Sequence, residues 1–259
     1  MDKPYIIRVS SQKGGVGKTT VAVNLAVAFA HKGYRTLLID ADAANPSVAL
    51  HLGFEDRPVG YLDVVRGSAK LQDATVVHSR SGLHVLPGKV VTEAVTHEKA
   101  HAEHFMPQVS RQGYDFVVID TAPGIQMSGV GYGADYGLIV TFPFVASCAS
   151  AIRLSQIFNR YKVKHGLVVN KFGRKGYELH VREIEEMYDG KVHVVFPDEE
   201  IVPKSIEASV PAYIYKRKSG FSRGIEGLAL QIIKESGRGT GTEKDIVSEM
   251  PLWRRLTGR

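Results

Sequence analysis

The sequence predicts an α/β fold: a doubly wound, mostly parallel sheet with helices on both faces. Three observations carry that expectation. Short, nearly unbroken apolar runs recur along the chain, the pattern of strands covered on both faces. Helix-like stretches separate them, giving the β–α alternation of a parallel sheet. The first run passes through a glycine-rich turn straight into the first helical stretch. In such sheets ligands sit at the carboxyl ends of the strands.

The first run is Tyr5-Ile6-Ile7-Arg8-Val9, and the first helix is expected over 21–30. Further strands are expected over 36–39, 83–86, 116–119, 138–140, 167–169 and 192–195. Amphipathic helices are expected between them, for instance over 151–161 and 177–188. Several runs end in polar residues: Asp40-Ala41-Asp42, Asp120-Thr121-Ala122-Pro123-Gly124 and Asn170-Lys171. The informative residues therefore fall where a ligand would sit. The 259 residues suffice for one sizeable α/β domain, expected over 1–236. A flexible Gly/Thr-containing linker over 237–245 and a short basic tail over 246–259 are expected to follow.

Composition narrows the class. Hydrophobic residues at 44% and charged residues at 23% fit a soluble globular protein. Cys148 is the sole cysteine, which excludes a disulfide framework and a Cys-x-x-Cys metal or iron–sulfur site within the chain. No signal peptide and no apolar segment of about 18 residues is evident, so the expected compartment is the cytoplasm. A net charge of +6 favours anionic partners (nucleotide, nucleic acid or acidic lipid) without choosing among them.

The turn Lys13-Gly14-Gly15-Val16-Gly17-Lys18-Thr19-Thr20 carries the strongest signal. Three glycines in four positions let backbone N–H groups converge on an anion with no Cβ in the way. The helix N-terminus behind them adds partial positive charge. Lys18 can then reach the β- and γ-phosphates of a nucleotide, and the Thr19 hydroxyl can ligate Mg²⁺. The usual G-x-x-x-x-G-K-[ST] pattern is incomplete, because Gln12 stands five positions before Gly17. Two carboxylates one residue apart, Asp40 and Asp42, could serve a Mg²⁺ shell and a water. Asp120, at a strand end opposite the loop, has the Walker B placement that holds Mg²⁺. Gly124 would let a backbone N–H approach the γ-phosphate and move when it leaves. Asn170 could pair with an adenine edge.

With its second lysine at the head of the loop, this turn resembles the deviant P-loop of the MinD/ParA superfamily of ATPases. The resemblance covers about residues 4–236. It implies a P-loop NTPase fold with ATP and Mg²⁺ as cofactors. It also implies that Lys13 is the signature lysine, reaching the partner's nucleotide across an ATP-bound homodimer. Asp40 would support the metal site at switch I, and Asp42 would position the attacking water. Asn170 would read adenine, with the backbone of Pro197, Asp198 and Pro211 lining its pocket. The segments Gly60-Tyr61-Leu62-Asp63-Val64-Val65-Arg66-Gly67 and Leu83-His84-Val85-Leu86-Pro87-Gly88 are similar to a MinD helix and strand. Two stretches depart from the family form: Ala43-Ala44-Asn45-Pro46-Ser47 after switch I, and the Ala-Pro order of Ala122-Pro123. They leave the subfamily open.

His97-Glu98-Lys99-Ala100-His101, with His104 behind it, is a formal H-E-x-x-H. At 100° per residue, Val95, Ala102, Phe105, Met106 and Val109 form the apolar side of such a helix. His97 and His104 then point away from the core, so a zinc-protease site is not expected. The tail resembles a MinD membrane-targeting helix. Leu252, Trp253 and Leu256 can share one side, with Arg254, Arg255 and Arg259 available to an acidic membrane surface. The combined expectation is a Mg²⁺-dependent ATPase switch, closing as a homodimer with ATP and positioning cellular machinery. It would be cytoplasmic and peripheral on the inner face of the cell membrane, acting with an unidentified cargo or activating protein. The alternative is a ParA-like ATPase that binds DNA non-specifically, through Lys216-Arg217-Lys218, Arg223, Lys162 and Lys164. A non-hydrolysing nucleotide-binding scaffold is disfavoured by Asp42 and Asp120.

Overall fold

The computed structural model describes residues 3–54, 57–89, 105–124, 133–173 and 175–238. Strand β1 (Tyr5–Ser10) leads through the glycine turn into helix α1 (Lys18–His31), followed by β2 (Thr36–Ala41). Short helices α2 (Val48–Leu52), α3 (Tyr61–Val65) and α4 (Leu71–Ala74) precede the strands β3 (Val76–His78) and β4 (Leu83–Leu86). Helix α5 (Met106–Ser110) comes before β5 (Phe116–Thr121) and β6 (Tyr136–Thr141). Next come α6 (Val145–Arg160), β7 (Lys164–Phe172), α7 (Val181–Tyr188) and β8 (Val192–Pro197). Helices α8 (Ile201–Glu207), α9 (Ala212–Tyr215) and α10 (Gly220–Glu235) complete the described chain.

The eight strands form one sheet in the order β3-β4-β2-β5-β1-β6-β7-β8. All neighbours are parallel except the β3–β4 edge pair. Successive side chains of a strand point to opposite faces, and the core divides accordingly. Ile7 and Val9 face the layer of α1, α2, α9 and α10. Ile6, Leu37 and Ile39 face α3, α4 and α5, while Ile139, Leu167 and Val169 face α6 and α7. Helices therefore cover both faces, as a doubly wound sheet requires. Helix α1 is buried on nearly every side, so it carries apolar and small residues all round. It packs between the sheet and α10, and the ring of Phe29 stacks on Phe116 with centroids 4.2 Å apart.

Several elements run past their expected ends. The ladder between β2 and β5 continues beyond the apolar residues through Asp40↔Asp120 and Ala41↔Thr121. Helix α1 begins at Lys18, three residues early, because Gly17 in the left-handed region (φ 92°) turns the chain into it. Helix α6 also starts early, its small residues Ala146 to Ser150 having masked the amphipathic pattern. Helix α7 starts late. The Glu183 carboxylate accepts the His180 N–H at 2.6 Å and sets the boundary there. Within the helix expected around the H-E-x-x-H, Phe105 and Val109 are fully buried against the sheet. The motif itself, with Val95, Ala102 and His104, lies outside the described residues, as do 239–259.

Candidate functional site

The glycine turn sits above the carboxyl ends of β1, β5 and β6, where its backbone faces a cleft of about 570 Å³. Gly15 and Gly17 both hold positive φ, 76° and 92°, a region that favours glycine. A Cβ on Gly17 would stand 2.3 Å from Asn170 Nδ2, so this position requires glycine twice over. Lys18 and Thr19 then fall in the first turn of α1, on the cleft wall.

Below the turn lies a compact acidic network. The register of β2 and β5 sets Asp40 beside Asp120. Thr19 Oγ1 donates to Asp120 Oδ2 at 2.6 Å and accepts from Ser47 Oγ at 3.1 Å. Asp40 accepts backbone N–H groups from Ser47 (2.9 Å), Val48 (3.0 Å) and Asp42 (3.2 Å). Asp42 in turn accepts the Asn45 N–H at 3.0 Å, and its carboxylate borders the cleft. Asp120 Oδ1 is buried with no hydrogen-bond partner. Burial pushes the Asp120 carboxyl up to about 7, against the Thr19 hydrogen bond, and that of Asp40 up to about 6. Two buried acids with an unpaired oxygen and a neighbouring hydroxyl form an all-oxygen set that suits a hard cation such as Mg²⁺.

Asn170 is placed by an irregularity. Strand β7 shifts register against β8 between Val169 and Phe172, with Lys171 in the left-handed region (φ 54°). Such a bulge re-aims side chains. Asn170 Nδ2 donates to the Val16 carbonyl at 2.8 Å, which fastens β7 to the glycine turn. The amide oxygen and the second amide hydrogen remain for a ligand.

Comparison with known proteins decides the family. An AAA-domain family model matches residues 4–162. An uncharacterised ATP-binding protein of Methanocaldococcus jannaschii is 30% identical over 230 residues, 88% of this chain and 87% of that one. The septum site-determining protein MinD of Thermotoga maritima is 30% identical over 258 residues, 94% of this chain and 92% of its own. The chain belongs to the MinD/ParA superfamily of P-loop ATPases. The MinD structure from Pyrococcus horikoshii, solved with Mg-ADP, superposes with a TM-score of 0.82. That match has 27% identity and covers 94% of this chain and all of that one.

Within this MinD/ParA-type cleft most of the expected residues converge. Gly14, Gly15, Gly17, Lys18, Thr19, Thr20, Asp42, Asn170, Pro197 and Asp198 line it. Val16 is buried behind the wall and contributes its carbonyl to Asn170. Lys13 is exposed and stands outside the wall. Two other expected residues stand outside the wall. The Gly124 N–H, expected to approach the γ-phosphate, here donates to the Ser11 carbonyl at 3.0 Å, with neighbouring Pro123 on the wall instead. Pro211, expected in the adenine pocket, is buried at the start of α9 and away from the wall.

Sequence reasoning missed Ser47, His51, Lys171, Glu199, Val202, Pro203 and Ile206, which also line the cleft. A hydroxyl placed to meet Thr19 could have drawn notice to Ser47. Glu199 serves the fold, since its two oxygens accept the Gly220 and Phe221 N–H groups, each at 3.0 Å. The basic cluster expected for DNA is partly engaged. Arg217 pairs with Glu226 at 3.1 Å and lies 3.8 Å over the Tyr213 ring. Lys216, Lys218, Arg223, Lys162 and Lys164 are exposed.

Proposed function

We propose that this protein is a Mg²⁺-dependent ATPase acting as a dimerisation switch that positions cellular machinery, with ATP-dependent attachment to a membrane. One observation carries the reading: the Thr19–Asp120–Asp40 network beneath the glycine turn, with an unpaired buried oxygen on Asp120. The similarity to MinD proteins supports the same activity. Bound Mg²⁺ supplies charge neutralisation on the phosphate oxygens.

The remaining work falls to this chain's own residues. Gly14 to Thr20 hold the phosphates with backbone N–H groups and the helix end, and Lys18 neutralises the β- and γ-phosphates. Thr19, Asp40 and Asp120 are the residues that would hold the ion. Asp42 orients the attacking water at the mouth of the site, in line with the γ-phosphate. Lys13, exposed on its own subunit, completes the site of the partner copy. Asn170, Pro197 and Asp198 receive the base. Hydrolysis then frees switch I and the Pro123-Gly124 turn, and the dimer parts.

The chain is organised as an ATPase domain over 1–236, a linker over 237–245 and a tail over 246–259. Among the described residues no helix is long and apolar enough to cross a membrane. The tail would instead attach peripherally to the inner face of the cell membrane through Leu252, Trp253 and Leu256, with Arg254 and Arg255 on acidic headgroups. Two copies in a dimer make that weak attachment depend on ATP. The exposed Lys216 and Lys218 keep DNA coating as the second reading, weakened by the pairing of Arg217.

Co-sedimentation of an Asp42→Ala protein with acidic liposomes and with plasmid DNA, under ATP and ADP, separates the two. Pelleting with liposomes under ATP alone, abolished by deleting 246–259, is expected. ATP-dependent DNA binding that survives the deletion and falls steeply with salt would replace the membrane reading with DNA coating.

A further inference from the structure

The cleft contains a side chain that the phosphate and metal chemistry does not use. His51, on α2, is only 8% exposed and lines the cleft. Among the described residues its ring takes part in no hydrogen bond, ion pair or aromatic contact. Its ring nitrogens open onto the cleft rather than being sealed inside, so they are available to a ligand there.

Its position along the cleft indicates which part of a nucleotide it meets. The His51 N–H donates to the Ser47 carbonyl at 3.3 Å, so the two residues are one helical turn apart. Ser47 touches Thr19 at the metal and phosphate end. Four residues advance about 6 Å along a helix, which carries His51 away from the phosphates. There it shares the cleft wall with Val202 and Ile206 of α8, the helix that follows the Pro197-Asp198 turn. Between a phosphate end and a base end lies the sugar. Its 2′- and 3′-hydroxyls are the polar groups available there, and a neutral imidazole offers one donor and one acceptor. Burial keeps His51 neutral by pushing its pKa down to about 4.

We infer that His51 hydrogen-bonds the ribose hydroxyls of the bound nucleotide, making it a sugar-reading residue that distinguishes ribonucleotides from their deoxy forms. This rests on the nucleotide reading of the cleft and extends it to the sugar. A site built to bond a hydroxyl rejects the analogue that lacks it, because its own polar group is then left unpaired.

The test is calorimetric binding of ATP and 2′,3′-dideoxy-ATP, with Mg²⁺, to the wild-type, His51→Ala and His51→Gln proteins. The wild type should prefer ATP by about tenfold, the scale of one hydrogen bond. His51→Ala should bind both nucleotides alike, and His51→Gln, which keeps a donor and an acceptor, should recover part of the preference. Equal binding of the two by the wild type, or an undiminished preference in His51→Ala, overturns the inference while leaving the nucleotide site standing. Absence of ATP binding by the wild type overturns the nucleotide reading along with it.

Discussion

At the scale of single residues, the cleft depends on positions where no other side chain fits. Gly17 combines a positive φ with a place where an added Cβ would stand 2.3 Å from Asn170 Nδ2. Gly17→Ala should therefore disturb the turn and the Asn170–Val16 bond together. Nucleotide affinity is expected to fall at least tenfold while the circular dichroism spectrum stays that of wild type. Lys18→Ala removes the cleft-wall cation assigned to the phosphates, and phosphate release should fall at least a hundredfold. Release at the wild-type rate would mean that hydrolysis occurs elsewhere.

His51 gives a pH signature of its own, because its folded-state pKa lies near 4 against 6.5 when free. Between those values the unfolded chain binds more protons. The contribution of His51 to stability is thus complete above about pH 6.5 and lost as pH falls toward 4. Urea unfolding at pH 7 and pH 5 should show His51→Gln losing about 2 kcal/mol less than wild type. Equal losses would place the imidazole in a hydrated setting.

At the scale of elements, the carboxyl ends of the strands hold the acidic network and the loops after them carry the rest. Helix α10 starts where Glu199, from the turn after β8, accepts two of its first N–H groups. This ties the Pro197-Asp198 end of the cleft to the helix layer. Glu199→Ala should cost about 1–2 kcal/mol, read as a lower melting temperature, with Asp198 and Pro197 displaced. An unchanged melting temperature would make the cap dispensable.

The same elements explain what the sequence made legible. The central strands and α1 were readable because burial on both sides produces unbroken apolar runs. The three-residue edge strand β3 was not, since a half-exposed strand of that length leaves no pattern. Asp40, Asp42, Asp120 and Lys18 were visible because charged residues at strand ends and beside glycines need a chemical reason. His51 and Ile206 reach the cleft only through the packing of α2 against α8, a relation between segments about 150 residues apart in the chain. Spacing along the sequence carries no trace of it.

At the scale of the whole molecule, one mostly parallel sheet holds the nucleotide cleft at its carboxyl edge, and Lys13 stands exposed outside that cleft. A lysine with no place in its own cleft wall is what a switch completed by a second copy requires. Sedimentation velocity on the Asp42→Ala protein tests this most directly, with Mg²⁺ and either ATP or ADP, beside Lys13→Ala in the same background. A dimer with ATP and a monomer with ADP are expected, and a monomer with both once Lys13 is replaced. The same oligomeric state with both nucleotides would contradict the switch.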